Sequence, residues 1–147
     1  MKRVFLSFDR DDFLRVKGLL VELSKLNCEL DLYEGALDLD SASADAVAVK
    51  QAIGEKIVHS DLTVCLIGNN THLSRWVDIE LRKSREKGNK IIAMALKGIT
   101  SVVLPQVIKE ENITFYPWDP KRLGRMMEEK SRVSPVSYYR GSGGLGV

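Results

Sequence analysis

The two longest apolar runs, Leu62-Thr63-Val64-Cys65-Leu66-Ile67 and Ile91-Ile92-Ala93-Met94-Ala95-Leu96, constrain this chain more than any other feature. A strand that is apolar at successive rather than alternate positions is covered on both faces, which is the situation in a parallel sheet flanked by helices. Both runs are far shorter than the roughly 20 residues a bilayer span needs. Between them, Ser74 is a good N-cap for a helix carrying Trp76, Ile79 and Leu81, and Gly88 is placed to end it.

The remaining chain repeats the same strand and helix alternation. Arg3 to Phe8 is a β-rich run stopped by Asp9-Arg10-Asp11-Asp12, a carboxylate cluster suited to a helix start. Val16, Leu20 and Leu23 recur at helical spacing, with Leu19 and Leu26 widening the stripe, so a first helix is predicted to about Asn27. Glu29-Leu30-Asp31-Leu32-Tyr33 alternates like a half-covered edge strand. Residues 34–45 are acidic, rich in small side chains and aperiodic, which predicts a loop; Val49, Ile53 and Ile57 mark a second helix. Pro105 interrupts the apolar groups of 97–111, predicting a loop with a short helical turn. Ile113 to Tyr116 is a fifth strand, and Pro120 opens a last helix.

This order predicts an α/β, flavodoxin-like three-layer fold with a five-stranded parallel sheet, strand order 2-1-3-4-5. A single domain over 3–132 is expected, with a flexible C-terminal tail at 133–147. In such a sheet the ligand crevice lies beyond the carboxyl ends of strands one and three. Residues 7–12, residues 68–75 and the helix start near Ser74 are therefore the candidates before any motif is considered.

Composition narrows the functional classes. The apolar fraction of 44% and charged fraction of 29% are those of an ordinary globular protein. Net charge is +2, but residues 119–147 hold six Lys/Arg against three Asp/Glu, which leaves the rest at −1. The basicity is therefore confined to the end of the chain and interleaved with Glu128 and Glu129, so nucleic acid is not the expected partner. The start runs directly into a strand without an apolar leader, and a cytoplasmic protein without membrane association is expected. Cys28 and Cys65 lie far apart, and His59 and His72 do not pair with them, so neither a metal site nor a disulfide framework is expected.

Three motif readings fail on context. Gly141-Ser142-Gly143-Gly144-Leu145-Gly146 fits a dinucleotide fingerprint in letters, but that fingerprint works only after a strand and at the start of a helix. A phosphoacceptor receiver needs an Asp where strand three ends, and the chain has Ile67-Gly68-Asn69 there. The loop after strand one is acidic, unlike the small hydroxyl and glycine runs that cradle flavin phosphates. The Asp9, Asp11 and Asp12 carboxylates are read instead as partners of the exposed amides of a helix start.

Ser74-Arg75-Trp76-Val77-Asp78-Ile79-Glu80 is less generic. Trp76 and Glu80 share one helix face, and Glu80 sits roughly 9 Å along the axis from Ser74 at ~1.5 Å per residue. A solvated Glu80 pairing with Lys83 or Ser84, beside a core Trp76, is the bland alternative. Val4-Phe5-Leu6-Ser7-Phe8 resembles the first-strand motif of TIR domains, and Ser74-x-Trp76-x-x-x-Glu80 resembles their signature helix. The run from Val64 to Leu96 resembles the bacterial TIR-like proteins of Thoeris antiphage systems. The Arg-Asp and Pro-Gly elements usual after strand two are missing from 34–45, and Phe115-Tyr116-Pro117-Trp118 is only loosely similar to the third TIR box.

That resemblance implies an enzyme that cleaves NAD between nicotinamide and ribose and releases a cyclic ADP-ribose type signal. Glu80 becomes the catalytic residue, and Ser7, Phe8, Asp9, Asn69 and Trp76 become substrate-binding residues. NAD is then a substrate rather than a cofactor, and no metal is needed. The implied partners are a nucleotide-sensing effector protein reached through the product, and further copies of the chain in a homo-oligomer. Two alternatives follow from the same resemblance and topology: a non-catalytic TIR-like adapter, and a nucleoside deoxyribosyltransferase-like enzyme that also uses Glu.

Overall fold

The computed structural model describes residues 2–32 and 46–129. The expected loop at 34–45, the end of predicted strand two at Tyr33 and the expected tail at 133–147 lie outside the described residues. The elements are β1 (Lys2–Phe8), α1 (Phe13–Leu23), β2 (Cys28–Asp31), α2 (Ala46–Val58), β3 (Leu62–Ile67), α3 (Arg75–Lys87), β4 (Lys90–Ala95), α4 (Gln106–Glu110), β5 (Phe115–Tyr116) and α5 (Pro120–Glu128). Short 3₁₀ turns at Arg10–Asp12 and Thr71–Leu73 precede α1 and α3. The strands form one five-stranded sheet in the order β2-β1-β3-β4-β5, and every neighbouring pair is parallel. That is the predicted α/β architecture.

Alternation along the strands sends side chains to two separate cores. Val4, Leu6 and Phe8 of β1, Val64 and Leu66 of β3, and Ile92 and Met94 of β4 pack with Val16, Leu19 and Leu23 of α1 and Leu123 and Met127 of α5. On the other face Cys65, Ile67 and Ala93 meet Val77 and Leu81 of α3 and Val107 and Ile108 of α4, while Phe5 meets Ile53 and Ile57 of α2. All six residues of β3 are buried, as a central parallel strand requires.

Three boundaries differ from the sequence expectation. Helix α1 stops at Leu23, not Asn27, because the backbone tightens to three-residue bonds, Lys25 N–H to the Glu22 carbonyl at 3.3 Å and Leu26 N–H to the Leu23 carbonyl at 3.0 Å. The Ser24 hydroxyl donates to the Val21 carbonyl at 2.7 Å in the same turn. The 97–111 stretch holds a true short helix, α4, beginning just after Pro105. Strand β5 begins at Phe115 rather than Ile113. Asn112 adopts φ 52° and Ile113 N–H returns to the Ile108 carbonyl at 3.0 Å, so Ile113 serves the exit of α4.

The end of α3 follows the expected glycine cap. Gly88 has φ 91°, and both Gly88 N–H and Asn89 N–H bond the Ser84 carbonyl, at 3.1 and 2.9 Å. The space around a side chain here is open, so the cost of one is conformational alone. Gly88→Ala is expected to lower unfolding stability by about 1–2 kcal/mol, read from the midpoint of a urea melt at unchanged slope.

Candidate active site

The buried face of α3 consists of Val77, Glu80, Leu81 and Ser84, so two of its positions are polar. An amphipathic helix normally presents apolar residues to its sheet. Here Glu80 is only 6% exposed, and its Oε1 accepts from the Ser7 hydroxyl at 2.7 Å. Ser7 lies opposite Cys65 in the β1–β3 register, so the carboxyl group sits over the two central strands. The bland reading of Glu80 as a solvated helix residue is excluded by its burial, and Ser84 bonds its backbone rather than its carboxyl group.

A ladder of hydroxyls continues from there towards the amino ends of the strands. Ser84 Oγ donates to the Glu80 carbonyl at 2.9 Å, Thr63 Oγ1 pairs with Ser84 Oγ at 2.8 Å, and Asn89 Nδ2 donates to Thr63 Oγ1 at 3.5 Å. With Ser84 giving its proton to the carbonyl, Thr63 supplies the donor between the two hydroxyls. The Ser84 and Thr63 hydroxyls of this ladder are thereby satisfied, and the register of α3 on the sheet is fixed. Ser84→Ala deprives Thr63 of its acceptor and is expected to cost about 1–3 kcal/mol, visible as a lower midpoint in thermal or urea unfolding.

Burial pushes the Glu80 carboxyl up from an ordinary 4.5 to about 8, and the Ser7 hydroxyl pulls partly against that. At neutral pH the fold therefore holds Glu80 mostly as the neutral acid. Burial first, and the neighbouring Glu80 second, raise the Cys65 thiol, which leaves it an unreactive part of the wall. A carboxyl group kept out of water at the carboxyl edge of a parallel sheet is poised to ionise when a cation arrives.

The other candidates divide around the carboxyl ends of β1 and β3. Ser7 joins Glu80 directly. Trp76, one turn before Glu80, packs with Phe5, Ile53, Ile57 and Val49, and so ties the start of α3 to α2. Ser74 caps α3 by accepting from Val77 N–H at 3.2 Å. Asn69 is exposed at the bend after β3. Phe8 is buried on the opposite side of the sheet, its ring 6.3 Å from that of Phe13 at 23°, and does not join Glu80. Asp9 follows β1 at the crevice edge, where burial and then Asp11 raise its carboxyl.

Sequence reasoning held Asp12 within the candidate residues 7–12 but read it as a helix-start carboxylate, and it gave no site role to Thr63 or Ser84. Asp12 stands at the N-cap position of α1, but its side chain makes no cap hydrogen bond there. Its carboxyl group lies instead against Gly68, just beyond β3. The Gly68 N–H is satisfied separately by Thr71 Oγ1 at 2.7 Å. Among the described residues, no group of three or more His, Cys, Asp or Glu is arranged to hold a metal ion.

Residues 5–101, from β1 through the end of β4 and the bend beyond, match the TIR-like domain of the Thoeris protein ThsB. The chain belongs to that family. Ser7, Asp12, Gly68, Trp76 and Glu80 all fall within the matched span. A relative from Bacillus cereus (strain MSX-D12), named as a proposed cyclic ADP-D-ribose synthase, ThsB1, is 35% identical over 101 residues, which is 66% of this chain and 53% of that one. The chain thus spans about half the length of that ThsB-type relative.

Solved structures agree on the fold. The CMP N-glycosidase BcmB of Clostridium botulinum superposes with a TM-score of 0.57 at 18% identity, over 87% of this chain and 100% of that one. A conserved protein from Enterococcus faecalis V583 superposes with a TM-score of 0.65 at 15% identity, over 87% and 98%. Among the described residues no helix is long and apolar enough to cross a membrane.

Proposed function

We propose that this ThsB-type TIR-like domain cleaves NAD at the bond between nicotinamide and ribose and closes the remainder into a cyclic ADP-ribose type signal. The observation that carries this reading is the Glu80 carboxyl group, buried on Ser7 above the β1–β3 pair, at the edge where parallel sheets bind nucleotides. The name of the ThsB1 relative supports the same substrate and product class.

The chemistry asks little more of the protein. Most glycoside hydrolases need a second carboxyl group to protonate the leaving oxygen. Nicotinamide leaves a pyridinium as a neutral molecule, so no general acid is required. A single carboxylate facing the developing oxocarbenium ion supplies the stabilisation, in a site where low polarity magnifies its field. The pyridinium also solves the problem of a neutral Glu80, because a nearby cation favours the charged form of the acid. Ser7 then holds the oxygen that faces away from the sugar. Cyclisation needs an adenine nitrogen to take the same carbon while water is excluded.

The signal produced would act on a nucleotide-sensing effector, and assembly of several copies would supply the trigger. Incubation of the purified protein with NAD, alone and at concentrations that favour self-association, is expected to release nicotinamide and a cyclic nucleotide resolved by chromatography. Absence of nicotinamide release in both conditions, with transfer between free nucleosides instead, would replace this reading by a deoxyribosyltransferase-type activity.

A further inference from the structure

Across the sheet edge from Glu80 lies a second carboxyl group that the folded chain leaves unsatisfied. Asp12 is 6% exposed, and its shielded Oδ2 has no hydrogen-bond partner among the described residues. Asp9 Oδ2 beside it is in the same condition. Native interiors rarely leave such atoms unpaired, and the exceptions gather at functional sites. Burial, then Asp9, raise the Asp12 carboxyl, and Arg15 offsets this only in part.

The position is built rather than incidental. An ideal Cβ on Gly68 would fall 2.1 Å from Asp12 Oδ2 and 2.5 Å from both its Cγ and Oδ1. Glycine at 68 is what admits the carboxyl group to the end of β3, one residue past Ile67. Asp12 forgoes its own helix cap to reach that place. At the carboxyl ends of β1 and β3, Glu80 thus reaches Ser7 from α3 on one face of the sheet, and Asp12 reaches Gly68 from the start of α1 on the other.

We propose that Asp12, seated over Gly68 with Asp9 beside it, accepts hydrogen bonds from the hydroxyls of the adenosine ribose and thereby selects NAD over its 2′-phosphorylated form. The proposal rests on the reading of the crevice as a nicotinamide dinucleotide site. With Glu80 assigned to the sugar that loses nicotinamide, Asp12, held by a different element at the same carboxyl edge, is the acid assigned to the other sugar. Acidic side chains at such sheet edges take ribose hydroxyls, and a 2′-phosphate in the same place faces repulsion from the carboxylate.

The test is equilibrium binding of NAD and NADP to Glu80→Gln protein, which keeps the dinucleotides intact. NAD is expected to bind at least about 10-fold tighter than NADP, a factor in keeping with one hydrogen-bonded charge. Asp12→Asn in that background is expected to erase most of this preference while melting at the same or a higher temperature. Gly68→Ala, which forces the carboxyl group to move, is expected to erode the preference as well. An unchanged NAD to NADP ratio in Asp12→Asn overturns the proposal. Failure of both dinucleotides to bind the Glu80→Gln protein removes the dinucleotide reading itself, and this proposal with it.

Discussion

Replacing Glu80 by Gln is expected to lower nicotinamide release from NAD by at least about 10²-fold, the scale on which removal of one preorganised electrostatic group acts. The substitution removes the ability to ionise and almost nothing else. Gln keeps the volume of the side chain, and its amide oxygen accepts from the Ser7 hydroxyl as Oε1 does at 2.7 Å. Burial of α3 against the sheet should therefore survive, and the loss should fall on kcat rather than on KM, because the missing charge matters most when the sugar becomes cationic. Glu80→Asp sharpens the point, since withdrawing the carboxyl group by one methylene preserves its charge but not its distance, and an intermediate loss is expected. The measurement is single-turnover nicotinamide release followed by chromatography, with circular dichroism to verify the fold. Turnover of the Gln variant within about threefold of the parent would leave no catalytic part for Glu80.

The topology was legible because it is written redundantly. The long, mostly apolar runs of β3 and β4, the Ser74 cap and the Gly88 stop each point independently to a parallel sheet with covering helices. Where the expectation slipped, one backbone bond decided the matter. Leu26 continues the apolar spacing of α1, yet its N–H bonds the Leu23 carbonyl in a tightened turn; Ile113 has strand character, yet it closes α4. Spacing records which side chains face the core and is blind to such local hydrogen bonding.

The site was half legible for a different reason. Glu80 stood out through the spacing of Ser74, Trp76 and Glu80 and the TIR resemblance. Its burial did not, because a Glu on a helix is ordinarily solvated. A usable signal was present. Ser7 interrupts the apolar stretch Val4 to Phe8 of β1, Thr63 interrupts β3, and Glu80 and Ser84 are one turn apart on the face that Val77 and Leu81 mark as inward. Polar residues in register on a strand and its covering helix imply a buried hydrogen-bonded seam. Asp12 was hidden by the opposite effect, since an acid before a helix has a sufficient explanation as a cap. The missing cap hydrogen bond and the short approach to Gly68 show that the explanation does not apply.

Because the folded protein holds the Glu80 proton up to about pH 8 while an exposed Glu releases it near 4.5, the parent protein should lose stability relative to Glu80→Gln as pH rises. Between those values the folded state binds more protons than the unfolded state at this position, so the free energy of unfolding falls with increasing pH. Below the lower value both states are protonated and the two proteins should be closest in stability. Above the upper value both are ionised and the difference should level off, at a few kcal/mol by the free-energy equivalent of such a shift. Asp9 and Asp12 are raised in the same direction, but they are present in both proteins and drop out of the comparison to first order. Urea unfolding of the two proteins from about pH 5 to about pH 9 reads this directly. A stability difference that stays constant across that range would mean that Glu80 is ionised in the empty fold.

The same proton governs the rate. If the carboxylate is the working form, kcat/KM should rise with pH towards a midpoint near 8 in the free enzyme. The midpoint in kcat should lie lower, because bound pyridinium favours ionisation. Ser7→Ala removes the hydroxyl that favours the charged form, so both midpoints should move upward while the rate at high pH largely survives. That separation follows only from a carboxyl group kept neutral by burial until its substrate arrives.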